Sequence, residues 1–399
     1  MHAPKQRSPW IKDIHIKAID IVNKNFSGHT PPSVFVGSKL WPKANVGILS
    51  PLDSKVEAPK YDDYHYWYKQ GYDIKRIVEL RSNLINSRFE THVIDVRKDH
   101  RFLDLAQEIT MTFQPVSIDV ELKKKLQANV KLDQVHLPFG PVGDIQNIRA
   151  TENITIKPAI EKVYQDTDLK AVDAIRTLHE KGYNEHQLTQ LLSIGTLGMK
   201  KQRTLVPTRW SITATHDMLG KDHIKELKHA QPIIDHQLYF GNYFGNHYLI
   251  FLFPKPWSYE LFESSMPDHL PHPDTPVYTA TDYETYDGRK KYADNTVGGY
   301  YCARLSLVEY LHTKNIQASA LLLRFVTSEY SMPLGVWVTG QAVATTLHTQ
   351  PYYFTNRKDM LTFAKTLILR KFGYNIDNLL QQSKLLKEVK EQQTLSQYS

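Results

Sequence analysis

Cys302 is the only cysteine in this 399-residue chain, and that restricts how the chain can be held together. A disulfide framework is excluded, and so is a zinc finger built on cysteines. Stability must therefore come from buried apolar surface. The sequence supplies it: 41% of residues are hydrophobic and 23% charged, with 23 Tyr, 15 Phe and 6 Trp. A chain of this length is expected to form two domains, with three as the upper limit. Residues 1–13 carry no apolar run of the signal-peptide kind. No stretch approaches the ~18 apolar residues of a membrane-spanning helix. A cytoplasmic protein with no membrane partner is expected. The net charge of +7 favours anionic partners without requiring one.

Helical and strand patterns mix along the chain, with no repeat of about 20–50 residues. Short apolar runs broken by Gly and Pro over 31–52 read as strand–turn–strand. Residues 61–72, YDDYHYWYKQGY, are rich in aromatics and are expected in the core or at a domain interface. Helices are expected over 74–86, 101–112, 167–180 and 184–192. In the third, Leu169, Val172, Ile175 and Leu178 share a face and Gly182 sits at the cap. In the fourth, Asn184 caps and Gly195 closes. Strands are expected over 92–96, 116–122, 204–214 and 248–253, the last ended by Pro254 and Pro256. Residues 264–292 read as a long loop and a domain boundary. After it come a helix over 305–315, strands over 319–326 and 334–343, and a helix over 358–372. The fold class is mixed α/β (α+β): an extension over 1–30, a large N-terminal domain over 31–270, a smaller C-terminal domain over 293–378, and a flexible C-terminal tail over 386–399.

In that tail, Gln392-Gln393-Thr394-Leu395-Ser396-Gln397-Tyr398-Ser399 places an aliphatic residue at +3 and an aromatic at +6 from a glutamine. Residues three apart eclipse each other in a 3₁₀ turn. Leu395 and Tyr398 then form one apolar plug, and Gln392 stays outside the turn to hydrogen-bond. Gln237 comes nearest elsewhere, with Phe240 at +3 and Tyr243 at +6. The pattern resembles the PIP box, the peptide that binds the sliding clamp PCNA. Ser399 stands where the fuller motif has a second aromatic.

The run SIGTLGMKKQRTLVPTRWSITA (193–214), with Val206-Pro207-Thr208-Arg209-Trp210 inside it, resembles a signature of the archaeal Nre family of DNA-repair proteins. Phe35-Val36-Gly37, Trp41-Pro42 and Asn45-Val46-Gly47 resemble another. The resemblance covers most of the chain, from about Pro31 to the tail. It implies a repair role alongside the clamp, with Gln392, Leu395 and Tyr398 as clamp-binding residues. Some family members carry a four-cysteine zinc finger; its function does not transfer to a chain with one cysteine.

Other constellations are less specific. Gly195 to Arg203 is a basic, Gly-containing turn. Its amides, with Lys200, Lys201, Arg203 and Arg209, are candidates to hold phosphates, and Trp210 to stack on a base. The simpler reading makes Pro207 and Trp210 packing residues and the lysines solvated. The Walker spacing is absent. Asp119 and Glu121 share one strand face, and Asp95 lies in a similar strand. Were they to converge they would suit Mg²⁺, but ordinary surface alternation is the simpler reading, so neither metal nor cofactor is expected. His216 and Asp217 face opposite ways in a strand, and a loop or helix entry capped by Asp217 fits them better. No H-E-x-x-H is present. No catalytic residue is identified. DNA is a candidate partner, and an enzyme acting on nucleic acid or nucleotide around Thr208–Trp210 is the alternative function.

Overall fold

A computed structural model describes residues 21–22, 24–51, 59–127, 137–269 and 277–391. They fall into two compact units, one built on the described residues up to Leu219 with Met332–Gly335, the other on those of Gly220–Ser331 and of 336–391.

The first unit has a six-stranded sheet of β1 (Asn25–Thr30), β2 (Val34–Val36), β3 (Lys43–Ser50), β4 (Ile85–His92), β5 (Val116–Leu122) and β6 (Val142–Ala150). The spatial order is β1-β5-β6-β4-β3-β2. All neighbours are antiparallel except β4 and β6. β5 shows how sequence sets its orientation. Val116, Ile118, Val120 and Leu122 are buried, while Ser117, Asp119 and Glu121 between them are partly exposed. The buried set packs with Val46, Ile48, Phe89, Ile145 and Ile148. Among the helices, α1 (Tyr64–Lys69) buries Trp67 completely, and its Nε1 donates to Lys60 O at 2.6 Å. α2 spans Ile74–Ser82. α3 (Arg101–Thr112) turns Leu103, Ala106 and Ile109 into the sheet's core. α4 (Ala171–Glu180) precedes α5 (Glu185–Ser193), which opens with a reciprocal capping box between Asn184 and Gln187. Gly195, at φ +75°, ends that segment in a left-handed conformation. α6 (Thr208–Leu227) begins in the first unit, and the two units divide within it.

The second unit has strands β7 (His236–Tyr243), β8 (Asn246–Phe253), β9 (Ser258–Ser265), β10 (Thr279–Glu284), β11 (Ser319–Val326) and β12 (Tyr352–Phe354), in the order β10-β9-β11-β8-β7-β12. Only β9 and β11 run parallel. β8 is buried along its whole length, as expected of a strand covered on both faces. α7 (Val297–Thr313), α8 (Trp337–Leu347), α9 (Arg357–Phe372) and α10 (Lys384–Glu391) complete the unit. Leu249, Phe251 and Phe253 meet Met360, Ala364 and Ile368 of α9. α8 packs on β7, on β8 and on α7. A Cβ at Gly241 would lie 2.9 Å from Thr346 Cα, so glycine there lets the α8 backbone approach the sheet. Arg304 and Glu284 pair at 2.7 Å with both side chains almost wholly buried. Trp257 Nε1 donates to the same carboxylate at 3.2 Å, so the buried charge is hydrogen-bonded as well as paired. Among the described residues, no helix is long and apolar enough to cross a membrane.

Four expectations from sequence are corrected. The strand over 92–96 stops at His92, because the Asp95 carboxylate accepts from Thr91 Oγ1 and His92 N and curls the chain into a 3₁₀ turn. The segment 204–214 is extended only to Pro207 and then enters α6. There the buried i, i+4 face is Ser211, Thr215 and Leu219, two of which an apolar count overlooks. His216 and Asp217 consequently lie mid-helix, not at the helix entry expected of them. The stretch 334–343 is mostly helical, within α8, which buries Thr339 and Gly340 together with its apolar residues and so leaves no apolar period to read. The loop over 264–292 contains β10, which hydrogen-bonds along β9. Replacing Asn184 with Ala removes one arm of the capping box and should cost about 1 kcal/mol of stability, with Asn184→Ser nearly neutral. Urea unfolding of the two variants beside the parent would measure this.

Candidate nucleic-acid interface

Pro207 cannot donate a backbone hydrogen bond, and its neighbours fix the chain on either side of it. Val206 N donates to Ser193 O at 2.9 Å, and Ser193 Oγ donates to Val206 O at 2.8 Å. Thr208 Oγ1 accepts from Val36 N at 2.9 Å and lies 3.3 Å from Ser193 Oγ. Val34 N, two residues back on the same edge strand, donates to Gln190 Oε1 at 3.2 Å. The two signature segments, far apart in sequence, are thereby brought together.

Their outer ends meet as a pair of indoles. The ring centroids of Trp41 and Trp210 lie 5.1 Å apart with planes inclined at 60°, and each residue is 46% exposed. Trp41 sits in the turn between β2 and β3, closed by Lys43 N donating to Leu40 O at 2.9 Å. Trp210 is in the first turn of α6. Lys39, Lys43 and Arg209 are exposed beside them in sequence, with Lys43 bound to Glu90 at 2.9 Å.

The basic turn divides. Lys200 and Lys201 are exposed on a 3₁₀ turn. Arg203 is buried, and its guanidinium donates to Gly198 O, Tyr164 O and Asp166 O while stacking 4.9 Å from the Tyr164 ring. The expected phosphate contact at Arg203 is therefore corrected: its donors are spent on backbone carbonyls, and the residue braces the turn. The carboxylates considered for Mg²⁺ do not converge. Asp119 accepts from Ser27 and Arg149, Glu121 pairs with Lys24 at 3.4 Å, and Asp95 is occupied in its own turn.

Two carboxylates invisible to sequence reasoning organise the units. Glu185 takes the Tyr64 hydroxyl at 2.9 Å and His65 Nε2 at 3.1 Å. Burial alone would raise its pKa, but the hydrogen bond and charge of His65, with the charge of His216, bring it down to about 2. These groups come from three separated segments, and no spacing announces them. In the second unit, buried Glu260 of β9 accepts from Ser383 Oγ at 2.5 Å and from Lys384 N and Leu385 N at 3.0 Å each. A sheet carboxylate thus satisfies the first amides of α10 and places negative charge at its positive end. Burial raises the Glu260 pKa, opposed by those same hydrogen bonds. Leu385 and Leu386 are buried, and Tyr283 donates its hydroxyl to Glu388. Gln392, Leu395 and Tyr398 follow this helix directly and lie outside the described residues.

The chain is thus an α+β protein of two compact units, with its signature segments joined in the first. Residues 8–270 match the family described as "Archaeal Nre, N-terminal", and residues 284–398 match "Archaeal Nre, C-terminal". The chain belongs to the archaeal Nre family. It is 34% identical to DNA repair protein NreA of Archaeoglobus fulgidus, over 86% of this chain and 85% of that one. It is 33% identical to DNA repair protein NreA of Haloferax volcanii, over 79% and 76%. DNA repair protein NreB of Archaeoglobus fulgidus is 33% identical over 86% and 85%. No solved structure matches the chain.

Glu185, with its pKa lowered, contributes stability that is fully present above the ordinary carboxylate range and lost as pH falls toward about 2. A pH series of melting temperatures should show that acid limb, and Glu185→Gln should flatten it. Glu260→Ala leaves buried amides without an acceptor and should cost about 1–2 kcal/mol. Faster hydrogen exchange at Lys384 and Leu385, with the rest of the sheet still protected, would be the signature.

Proposed function

We propose that this chain is a DNA-repair factor recruited to the sliding clamp PCNA by the peptide Gln392 to Ser399, with the surface around Arg209 and Trp210 contacting DNA. The observation that carries the reading is the Gln392–Leu395–Tyr398 spacing placed immediately after a helix held on the body by Glu260. Membership of a family whose curated relatives are named DNA repair proteins supports the repair role. The mechanism is recruitment. Leu395 and Tyr398 enter an apolar pocket of the clamp as one plug, Gln392 hydrogen-bonds beside them, and the body is concentrated where the clamp encircles DNA. Burying each of the two side chains contributes about 1.5–3 kcal/mol. With Ser399 in place of an aromatic, the isolated peptide binds in the range of tens of micromolar or weaker. A reducing, cytoplasmic setting fits the one buried thiol, Cys302.

The alternative is an enzyme acting on nucleic acid or nucleotide around Thr208–Trp210. There the Thr208 hydroxyl accepts from Val36 N and lies against Ser193, which gives it a part in joining the two signature segments.

Deleting 392–399 should abolish binding to purified clamp without lowering the melting temperature. Leu395→Ala and Tyr398→Ala should each weaken it about tenfold or more. Undiminished binding of the deletion variant in a titration calorimeter would overturn the proposal.

A further inference from the structure

We propose that Trp41 and Trp210 form a stacking platform for unpaired bases, so that the nucleic acid this surface takes is single-stranded or locally unstacked DNA rather than intact duplex. The inference deepens the DNA contact proposed above by naming its substrate class.

An indole is among the largest apolar side chains, and burying it is strongly favourable. Here two indoles contact each other on the surface, each nearly half exposed, with Leu40 beside Trp41 at 44%. Both are rigidly based. The Trp41 turn closes through Leu40 O and Lys43 N, and Gly37 N donates to Asn45 O at 2.9 Å. The Trp210 turn is fixed through Thr208 to Val36 and through Val206 to Ser193. Little side-chain or loop ordering is then left to oppose binding. With planes at 60°, the rings do not stack flat on each other, and each keeps an outward face.

Charge chooses the occupant. Lys39 and Arg209 flank the two indoles in sequence and are exposed; neither has an acidic partner within the first unit among the described residues. Lys43 is held by Glu90. Trp210 also lies at the positive end of a 20-residue helix, where phosphate is favoured. Cations that track a backbone beside exposed aromatic faces are the two parts of single-strand recognition. In duplex DNA the π-faces are already stacked on their neighbours and cannot reach an indole.

The test uses the full chain with a fluorescently labelled oligothymidylate and a duplex of equal length. Tryptophan fluorescence should be quenched by the single strand, which should bind more tightly than the duplex. Trp41→Ala and Trp210→Ala should each weaken single-strand binding about tenfold. Trp→Phe at either position should restore part of it, which loss of folding would not. Arg209→Gln should reduce the salt dependence. Equal affinity for both DNAs, or oligothymidylate binding unchanged in the Trp→Ala variants, would overturn the platform, as would quenching by purified clamp in place of DNA. Clamp binding by the same variants is measured in parallel. Its persistence when DNA binding fails sinks the platform alone, and its absence when DNA binding succeeds sinks the recruitment reading alone.

Discussion

The Val36 amide and the Thr208 hydroxyl, 172 residues apart, form the hydrogen bond on which the first unit's surface depends. β2 is an edge strand, and an edge presents unpaired amides that invite another strand. Here two of those amides are taken by side chains. Val36 N goes to Thr208 and Val34 N goes to Gln190. A three-residue strand blunted in this way cannot readily be extended by a neighbouring molecule. The same bond sets the start of α6 against the β2–β3 turn, and the two indoles meet because of it. A serine in place of Thr208 would keep the acceptor. A valine would lose it and leave a buried donor without a partner, the costly half of breaking a hydrogen bond.

The second unit solves a different problem with the same chemistry. Its sheet is covered on both faces, so charged groups caught inside must be answered locally. Glu284 meets Arg304 and Trp257, Arg324 meets Glu263 and Asn246, and Glu260 meets the amides that open α10. The last of these answers two needs together. The carboxylate gains donors in an apolar setting, and a short helix that would be marginal in water gains a fixed start.

Much of the fold was legible where the pattern was strong. α3 appears with the bounds read from its sequence, Val116–Leu122 alternates as its side chains announce, and Asn184 caps α5 as its spacing suggests. The misreadings share a cause. α6 buries Ser211 and Thr215, and α8 buries Thr339 and Thr346, so neither shows the apolar stripe that identifies a helix. β10 was hidden because Thr279–Glu284 is polar in letters but half-buried in its pairing with β9. The candidate site was legible only in part. Arg209 and Trp210 could be named from one segment. Trp41 as their neighbour, and Arg203 as a brace for carbonyls, depend on contacts that no local window contains.

The capped helix α10 has a mechanical consequence. Leu395 stands four positions beyond Glu391, and a polypeptide spans at most about 3.3–3.6 Å per residue, so the leash is no longer than ~14 Å. A ring gripping that leucine would hold the globule flush against its rim, not let it roam at the end of a string. Which side of the ring the protein occupies, and what else finds room there, would then be decided by where one buried glutamate pins one short helix.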